Sequence, residues 1–338
     1  MASTHIDALD ADYRTLCEGA GVLDRSERGK LALSGPGAIE FLGGQVTNEL
    51  DALRAGEGRY AAFLTPKGKM LGDLRILAVG DPGQEDPCEL ALDTERVALQ
   101  ALFDMIRRFK VGYEVQLHKR TLERGLLSLI GPHAAAIAGV DGSPSAGQAA
   151  SGLLAQEEHA NCAVAIDGID ALAVRTDVGV DLLCDSAHTA ELLERLSRRG
   201  AAPVSEQAAE CLRIEHGRPR YGIDLDDSVI PQEAGLNERA VSFTKGCYVG
   251  QETVARLYYK GKPNRHLRGL RLSEQAACGD ELRLGDRPVG RLGSVQVSPR
   301  LGPIALALVR REAQPGVSVS VGEHDARAKV LALPFPPA

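Results

Sequence analysis

The chain has 338 residues, of which 44% are hydrophobic and 25% are charged, a composition typical of a folded globular protein and not of a disordered one. Its net charge of −7 and its aromatic content of 4%, without tryptophan, argue against nucleic acid as a main partner. No apolar run is as long as a membrane span and the N-terminus has no signal-peptide pattern, so we expect a cytoplasmic protein without a membrane partner.

The seven cysteines and eight histidines are scattered along the chain. The cysteines are odd in number and include no CxxC pair, and the histidines form no HExxH motif. The sequence therefore predicts neither a disulfide framework nor a preassembled metal site.

A short strand, a Gly-Pro pair and a helix follow one another twice in the N-terminal half. The first strand covers 30–34 and precedes Gly35-Pro36, and the second covers 126–130 and precedes Gly131-Pro132. The recurrence predicts two related α+β modules. The alternative to a duplication is that Gly-Pro pairs are common before helices in general.

Between these two occurrences the sequence predicts a hairpin and a helix. Residues 60–64 and 74–79 have strand character and are joined by a turn at 65–69, with Asp73 at the entrance to the second arm. Residues 94–109 have helical apolar spacing, which predicts an amphipathic helix.

Two later segments, 212–224 and 230–236, combine high charge density with poor apolar periodicity. This pattern favours loops that line a polar cleft over a packed element. A solvated surface with ion pairs is the alternative.

The stretch KGCYVGQE at 245–252 places two glycines around Cys247 and Tyr248, and a helical pattern follows it. A thiol beside Lys245 and close to a helix start would have its thiolate favoured, as nucleophilic or metal-binding sulfur requires. The alternative is that Cys247 is a small buried hydrophobe.

From about Leu267 onward, short alternating runs are separated by Gly, Pro or Asp, which predicts a C-terminal β-barrel. We expect its interior to be aliphatic. The predicted interior residues are Leu270, Leu282, Val289, Val295, Leu306 and Val319.

Several of these segments together resemble a known family. KGCYVGQE, preceded by RIEHGRPRYGIDL and IPQEAGL, is similar to the signature of the YgfZ branch of the folate-binding, glycine-cleavage T-protein-like superfamily. That branch includes iron–sulfur assembly factors. The blocks GPGAIEFLGGQVTNEL and RYAAFLTPKGKMLGDLRI resemble the N-terminal part of the family.

The resemblance implies an α+β, T-protein-like multi-domain fold, with duplicated α+β modules around a central folate cavity and a C-terminal β-barrel. It divides the chain into a folate-binding region, 1–265, with two subdomains, and a barrel, 266–338. The implied cofactor is tetrahydrofolate or a one-carbon derivative. A buried carboxylate would accept hydrogen bonds from the pterin edge, and arginine or lysine would bind the acidic tail.

The resemblance also implies roles for individual residues. Asp73 falls at the catalytic aspartate of the aminomethyltransferases, and Asp181 falls at their pterin-binding glutamate. Both are also compatible with ordinary acids at strand ends. The predicted catalytic residues are Cys247, Lys245 and Asp73. The predicted folate-binding residues are Asp73, Asp181, Arg213, Glu215, Tyr221, Tyr248, Gln251 and Glu252.

Two departures from the aminomethyltransferases favour the YgfZ branch. Those enzymes have an arginine where this chain has Ala209, and they lack the cysteine at position 247. The leading hypothesis is a tetrahydrofolate-binding accessory protein that works with iron–sulfur client or assembly proteins through Cys247. The alternative is a folate-dependent aminomethyltransferase or methyltransferase that uses Asp73, and a third possibility is a folate-binding module without chemistry.

Overall fold

The computed structural model describes residues 2–80, 87–141, 153–322 and 326–336. Within these ranges the strands form a five-stranded sheet, a six-stranded sheet and a closed six-stranded barrel. The predicted α+β architecture with a C-terminal barrel is therefore confirmed. Among the described helices, none combines the length and apolar character needed to cross a membrane.

The first module contains the five-stranded sheet. The chain enters it through helix α1 (Ala2–Glu18) and strand β1 (Gly21–Asp24). The module itself consists of β2 (Gly29–Ser34), α2 (Ala38–Gly43), β3 (Gly58–Leu64), β4 (Met70–Val79), β5 (Glu89–Thr94), α3 (Leu99–Phe109) and β6 (Gln116–Lys119). The strand order is β3-β4-β5-β2-β6, and all neighbours are antiparallel. The predicted hairpin is β3–β4, and the predicted helix is α3, which a 3₁₀ turn precedes.

The second module repeats this arrangement. It consists of β7 (Arg124–Ile130), α4 (Ala134–Ala138), β8 (Asn161–Ile166), β9 (Ile169–Arg175), β10 (Gly179–Asp185), α5 (Thr189–Arg198) and β11 (Ala202–Pro203). Its strand order is β8-β9-β10-β7-β1-β11. This is the order of the first sheet with β1 inserted between the fourth and last strands, so the topology supports the predicted duplication.

The remaining elements are the helices that follow the second module in the chain and the strands of the barrel. They are α6 (Glu206–Glu215), α7 (Asn237–Ala240), α8 (Gln251–Lys260), β12 (Arg265–Leu272), β13 (Glu281–Leu284), β14 (Arg287–Ser298), β15 (Gly302–Arg310), β16 (Ser318–Val321) and β17 (Arg327–Leu331). The interpretation of 212–224 as loop is wrong for its first four residues, which form the last turn of α6. Tertiary packing stabilises this turn, because Ile214 is fully buried against the barrel wall.

The barrel interior is aliphatic, as expected. Leu270, Leu282, Val289 and Val319 are buried in its core, and Val295 packs against it. Leu306 is the exception, because it lies on the outer face in a separate cluster with Ile214 of α6 and other residues. Successive residues of a strand face opposite sides, and Ala305 and Ala307 occupy the interior face of β15. The division of the chain at 265/266 stays a prediction.

Candidate functional site

The two sheets, α6 and the segment that follows α6 surround a cavity of about 210 Å³. Its wall is rich in charged and polar side chains, in contrast to the apolar cores of the two modules. Four predicted site residues line it: Asp73, Asp181, Arg213 and Tyr221. The wall also contains residues that sequence reasoning missed, among them Arg28, Tyr60, Arg75, Ser128, His159 and Arg239.

Strand alternation aims the two aspartates into this cavity. In β4, Leu74 and Ile76 pack in the core of the first module, so the alternate residues Asp73 and Arg75 face the second module. In β10, the two residues that flank Asp181 pack in the core of the second module, so Asp181 faces the first. Both aspartates lie inside their strands and are buried. Arg75 lies between two apolar residues of the strand, and this alternation in the sequence could have identified it as a residue that faces the cavity.

Asp73 is held by a tyrosine of the neighbouring strand. Tyr60 Oη donates a hydrogen bond to Asp73 Oδ2 at 2.7 Å. Burial raises the pKa of Asp73 from 3.8 to about 6, although the Tyr60 hydrogen bond acts in the opposite direction. A carboxyl group with a pKa this close to neutrality can exchange a proton with a bound molecule near physiological pH.

Asp181 is held by Arg75, which reaches from the first sheet to the second. Arg75 Nη1 donates to Asp181 Oδ2 at 2.5 Å, and Arg75 Nε donates to Asp93 Oδ2 at 2.7 Å. Arg28 Nε donates to the other oxygen of Asp93 at 2.8 Å. Burial by itself would raise the pKa of Asp93, but the charges of Arg28 and Arg75 outweigh burial and hold it below its usual range. Asp93 is therefore a fixed negative charge between two guanidinium groups.

Partly exposed arginines form the rim of the cavity. Arg239 lies 4.9 Å from the centre of the Tyr60 ring, and its Nη2 donates to Glu158 Oε1 at 2.6 Å. Arg218 Nε donates to Asp177 Oδ2 at 2.8 Å. A guanidinium group has five N–H donors, so these residues can also donate to an anionic ligand. The rim arginines are Arg25, Arg218, Arg220 and Arg239.

Arg213 and Tyr221 shape the cavity wall. Arg213 Nη1 donates to Asp224 Oδ2 at 2.9 Å, and Arg213 Nε donates to Glu210 Oε1 at 2.7 Å. The first bond ties α6 to the segment that follows it, and the second lies within the helix. The Tyr221 hydroxyl lies 3.5 Å from the Met70 carbonyl oxygen, and its ring packs beside the hairpin residues of β3 and β4. Arg213 and Tyr221 therefore line the cavity and also hold its wall in place.

Glu215 does not line the cavity, in contrast to its predicted role. Tyr13 Oη donates to Glu215 Oε2 at 2.9 Å, and Arg300 Nη2 donates to the same oxygen at 2.7 Å. Ser298 Oγ donates to Glu215 Oε1. The carboxylate therefore joins α1, α6 and the barrel and is not part of the cavity wall.

Lys245 anchors the KGCYVGQE segment to the first module. Its Nζ donates to the carbonyl oxygens of Gly43, Val46 and Asn48 at 2.6, 2.9 and 2.7 Å. These three acceptors match the three hydrogens of an ammonium group. Burial lowers the pKa of Lys245 to about 8. The ammonium group is thus committed to the end of α2 and the turn after it, and this geometry gives no support to activation of Cys247 by Lys245.

The other residues of this segment lie outside the cavity wall. Cys247 is exposed, which contradicts the alternative of a buried hydrophobe, and α8 begins only at Gln251 after Gly250, whose φ of 86° suits glycine. Tyr248 is buried, and burial raises its pKa to about 12. Gln251 Nε2 donates to the Gly246 carbonyl oxygen at 3.4 Å, and Glu252 is exposed. The segment is a surface feature with one buried aromatic anchor.

A protein-family model described as the GCVT N-terminal domain matches residues 2–245 of the chain. The chain belongs to this family. Its relatives include an aminomethyltransferase of Corynebacterium aurimucosum, 28% identical, with 96% of this chain and 89% of the relative covered. An aminomethyltransferase of Rubrobacter xylanophilus is also 28% identical, with coverages of 97% and 86%. A chloroplastic putative transferase of Arabidopsis thaliana is 26% identical, with coverages of 97% and 73%.

Among solved structures, the glycine cleavage system aminomethyltransferase T from Bartonella henselae has the same fold. It superposes with a TM-score of 0.82 at 24% identity, covering 97% of this chain and 89% of that one. The T-protein fold expected from the resemblance is therefore confirmed. The assignment to the YgfZ branch is not confirmed, because the two bacterial relatives described above are named aminomethyltransferases.

Proposed function

We propose that the protein binds a reduced folate in the central cavity and acts on the one-carbon unit that the folate carries. The observation that supports this most directly is the pair of buried carboxylates, Asp73 and Asp181, which come from different modules and face one cavity. The cavity rim is lined by arginines, which suits a ligand with an acidic tail.

The two carboxylates have different roles in this proposal. Asp181 accepts from the amino-pyrimidinone edge of the pterin, while Arg75 keeps its carboxylate in place. Asp73 exchanges a proton with the folate nitrogen that attacks the one-carbon unit, because its pKa of about 6 suits a general base or acid. Tyr60 orients Asp73 through its hydroxyl. Bound tetrahydrofolate supplies the nucleophilic nitrogen of the transfer.

Folate binding is tested by isothermal titration of tetrahydrofolate into the wild type and Asp181→Ala. We expect micromolar affinity for the wild type and at least about tenfold weaker binding for the variant, since a charged hydrogen-bond partner is lost. Asp185→Ala is the matched control, because Asp185 ends the same strand outside the cavity. Absence of binding to the wild type would refute the proposal.

A second candidate is the accessory role in iron–sulfur cluster assembly or repair. Its specific support is the exposed thiol of Cys247, in a segment similar to the YgfZ signature and held to the first module by Lys245. Ala209 also lines the cavity, so the departure from the aminomethyltransferases falls within the site. In this role Cys247 would contact an iron–sulfur client while folate occupies the cavity.

Two variants, each tested in two assays, distinguish the two candidate functions. Asp73→Asn should abolish folate-dependent aminomethyl transfer by purified protein, whereas Cys247→Ser should leave it intact. If the accessory role is correct, Cys247→Ser should fail to complement a cell strain with an iron–sulfur enzyme defect, whereas Asp73→Asn should complement it. Equal complementation by wild type and Cys247→Ser would remove the thiol from the function.

A further inference from the structure

Two buried polar side chains of the cavity wall have no hydrogen-bond partner among the described residues. They are the hydroxyl of Ser128 on β7 and the imidazole of His159, which precedes β8. Ser128 is 1% exposed and His159 is 6% exposed. Buried polar groups are nearly always hydrogen-bonded, because each one left without a partner destabilises the folded protein.

Ser128 lies beside one of the two carboxylates. It is the direct partner of Asp181 in the antiparallel pairing of β7 with β10, which places both side chains on the same face. The flanking residues Leu127 and Leu129 pack in the core of the second module, so the Ser128 hydroxyl faces the cavity. A donor or acceptor on the ligand that meets Asp181 is therefore within reach of Ser128.

His159 lies beside Tyr60, the residue that holds the other carboxylate. Its ring centre is 6.1 Å from that of Tyr60, whose hydroxyl holds Asp73. The shortest approach of its Nε2 to a carboxylate is 3.6 Å, to Glu158, which is too long for a hydrogen bond. Burial, together with the charges of Arg75 and Arg239, lowers the pKa of His159 to about 3, so the ring is neutral. A neutral imidazole offers one donor and one acceptor.

The backbone at His159 is also unusual. Its φ of 74° lies in the left-handed region, which is unfavourable for a residue with a side chain. The segment packs tightly against β3, since a Cβ at Gly58 would lie 2.3 Å from the His159 carbonyl oxygen. Local strain and a buried imidazole without a partner thus occur at one position of the cavity wall, as is typical of functional sites.

We infer that Ser128 and His159 are ligand-contacting residues, with Ser128 sharing the pterin edge with Asp181 and His159 binding a polar group at the Asp73 end. This inference rests on the proposed function. It narrows the ligand class to molecules that carry hydrogen-bonding groups at both ends of the ring system. In the bound state the ligand completes the hydrogen bonds that the protein lacks.

The test combines stability without ligand and affinity for tetrahydrofolate in Ser128→Ala, His159→Phe and the matched control Ser298→Ala. Ser298 is also buried, but its Oγ bonds Glu215 and accepts from the backbone N–H groups of Arg300 and Leu301, away from the cavity. We expect unchanged or higher stability for the two cavity variants and at least about tenfold weaker binding. The control should lose stability and keep its affinity.

The outcomes distinguish the inference from the proposed function. If the wild type binds but both cavity variants bind equally well, or if they lose stability as the control does, the inference is overturned. If the wild type does not bind tetrahydrofolate, the proposed function fails, and a gain in stability in both cavity variants still supports a ligand role. His159→Asn keeps a donor and an acceptor and tolerates the left-handed backbone, so partial recovery of affinity supports the inference.

Discussion

Three buried carboxylates of this protein have different surroundings and therefore different properties. Asp73 accepts a side-chain hydrogen bond from Tyr60, Asp93 lies between two guanidinium groups, and Glu215 accepts from Tyr13, Ser298 and Arg300. Burial disfavours the charged form of Asp73 and of Asp93, and the two guanidinium groups offset it at Asp93. The pKa is raised to about 6 for Asp73 and lies below its usual range for Asp93. Of these two, Asp73 is the one suited to proton transfer.

The raised pKa of Asp73 predicts a pH-dependent effect of Asp73→Asn on stability. The folded protein holds this proton up to about pH 6, whereas the unfolded chain releases it near the ordinary aspartate pKa of 3.8. Wild-type stability therefore falls relative to the variant as pH rises through this window. Above it, Asp73→Asn should be more stable by on the order of 3 kcal/mol.

Urea unfolding of both proteins at several pH values measures this difference. The difference should narrow toward zero only as pH falls below about 3, where Asp73 is protonated in both the folded and the unfolded state. A difference that does not change with pH would show that Asp73 does not hold its proton in the folded state.

At the level of elements, the KGCYVGQE segment and α8 are attached to the first module through a small set of contacts. Lys245 binds three carbonyl oxygens at and after the end of α2. Tyr248 packs with residues of the β3–β4 hairpin, and the hairpin turn contacts the start of α8 at Gly68. The position of Cys247 on the surface follows from these contacts.

Lys245→Met should therefore loosen the segment without changing the cavity. Three carbonyl groups lose a charged donor, and we expect a loss of about 2 kcal/mol in local stability. Hydrogen exchange measured by mass spectrometry should be faster across 242–250 and across the turn after α2. Lys260→Met, at the exposed end of α8, is the matched control and should change neither region. Weaker tetrahydrofolate binding in Lys245→Met would contradict the separation of segment and cavity.

At the level of the whole molecule, ionic contacts join the two modules across the cavity. Arg75 of the first sheet bonds Asp181 of the second, and the same guanidinium group contacts Asp93 beside Arg28. The side chains of Arg75 and Asp181 are each 11% exposed, so solvent screens their attraction far less than that of a surface pair. The network fixes the relative position of the two carboxylates that face the cavity.

Arg75→Met should destabilise the protein and weaken folate binding together. The substitution leaves Asp181 without its cation, and breaking a buried pair costs about 3 kcal/mol. Arg283→Met is the control, since its pair with Glu281 on the barrel is largely exposed and should contribute less than about 1 kcal/mol. Equal effects of the two variants in urea unfolding would argue against a structural role for the network.

The sequence was sufficient for much of the fold and for part of the site. The hairpin around Asp73, the helix α3 and the barrel follow from local periodicity. Sequence reasoning failed where partners are distant in the chain. Lys245 and Gly43 are 202 positions apart, as are Tyr13 and Glu215, and no local pattern indicates either contact.

The sequence by itself determined the two modules, the barrel and the polar residues within apolar strands, because these depend on the spacing of apolar side chains. Only the tertiary structure decided which polar residues meet. It brought Asp73 and Asp181 to one cavity, paired Glu215 with Arg300 outside that cavity and left Cys247 exposed. The physical reason is that burial and ion pairing depend on surroundings in space, which arise only when separate modules pack together.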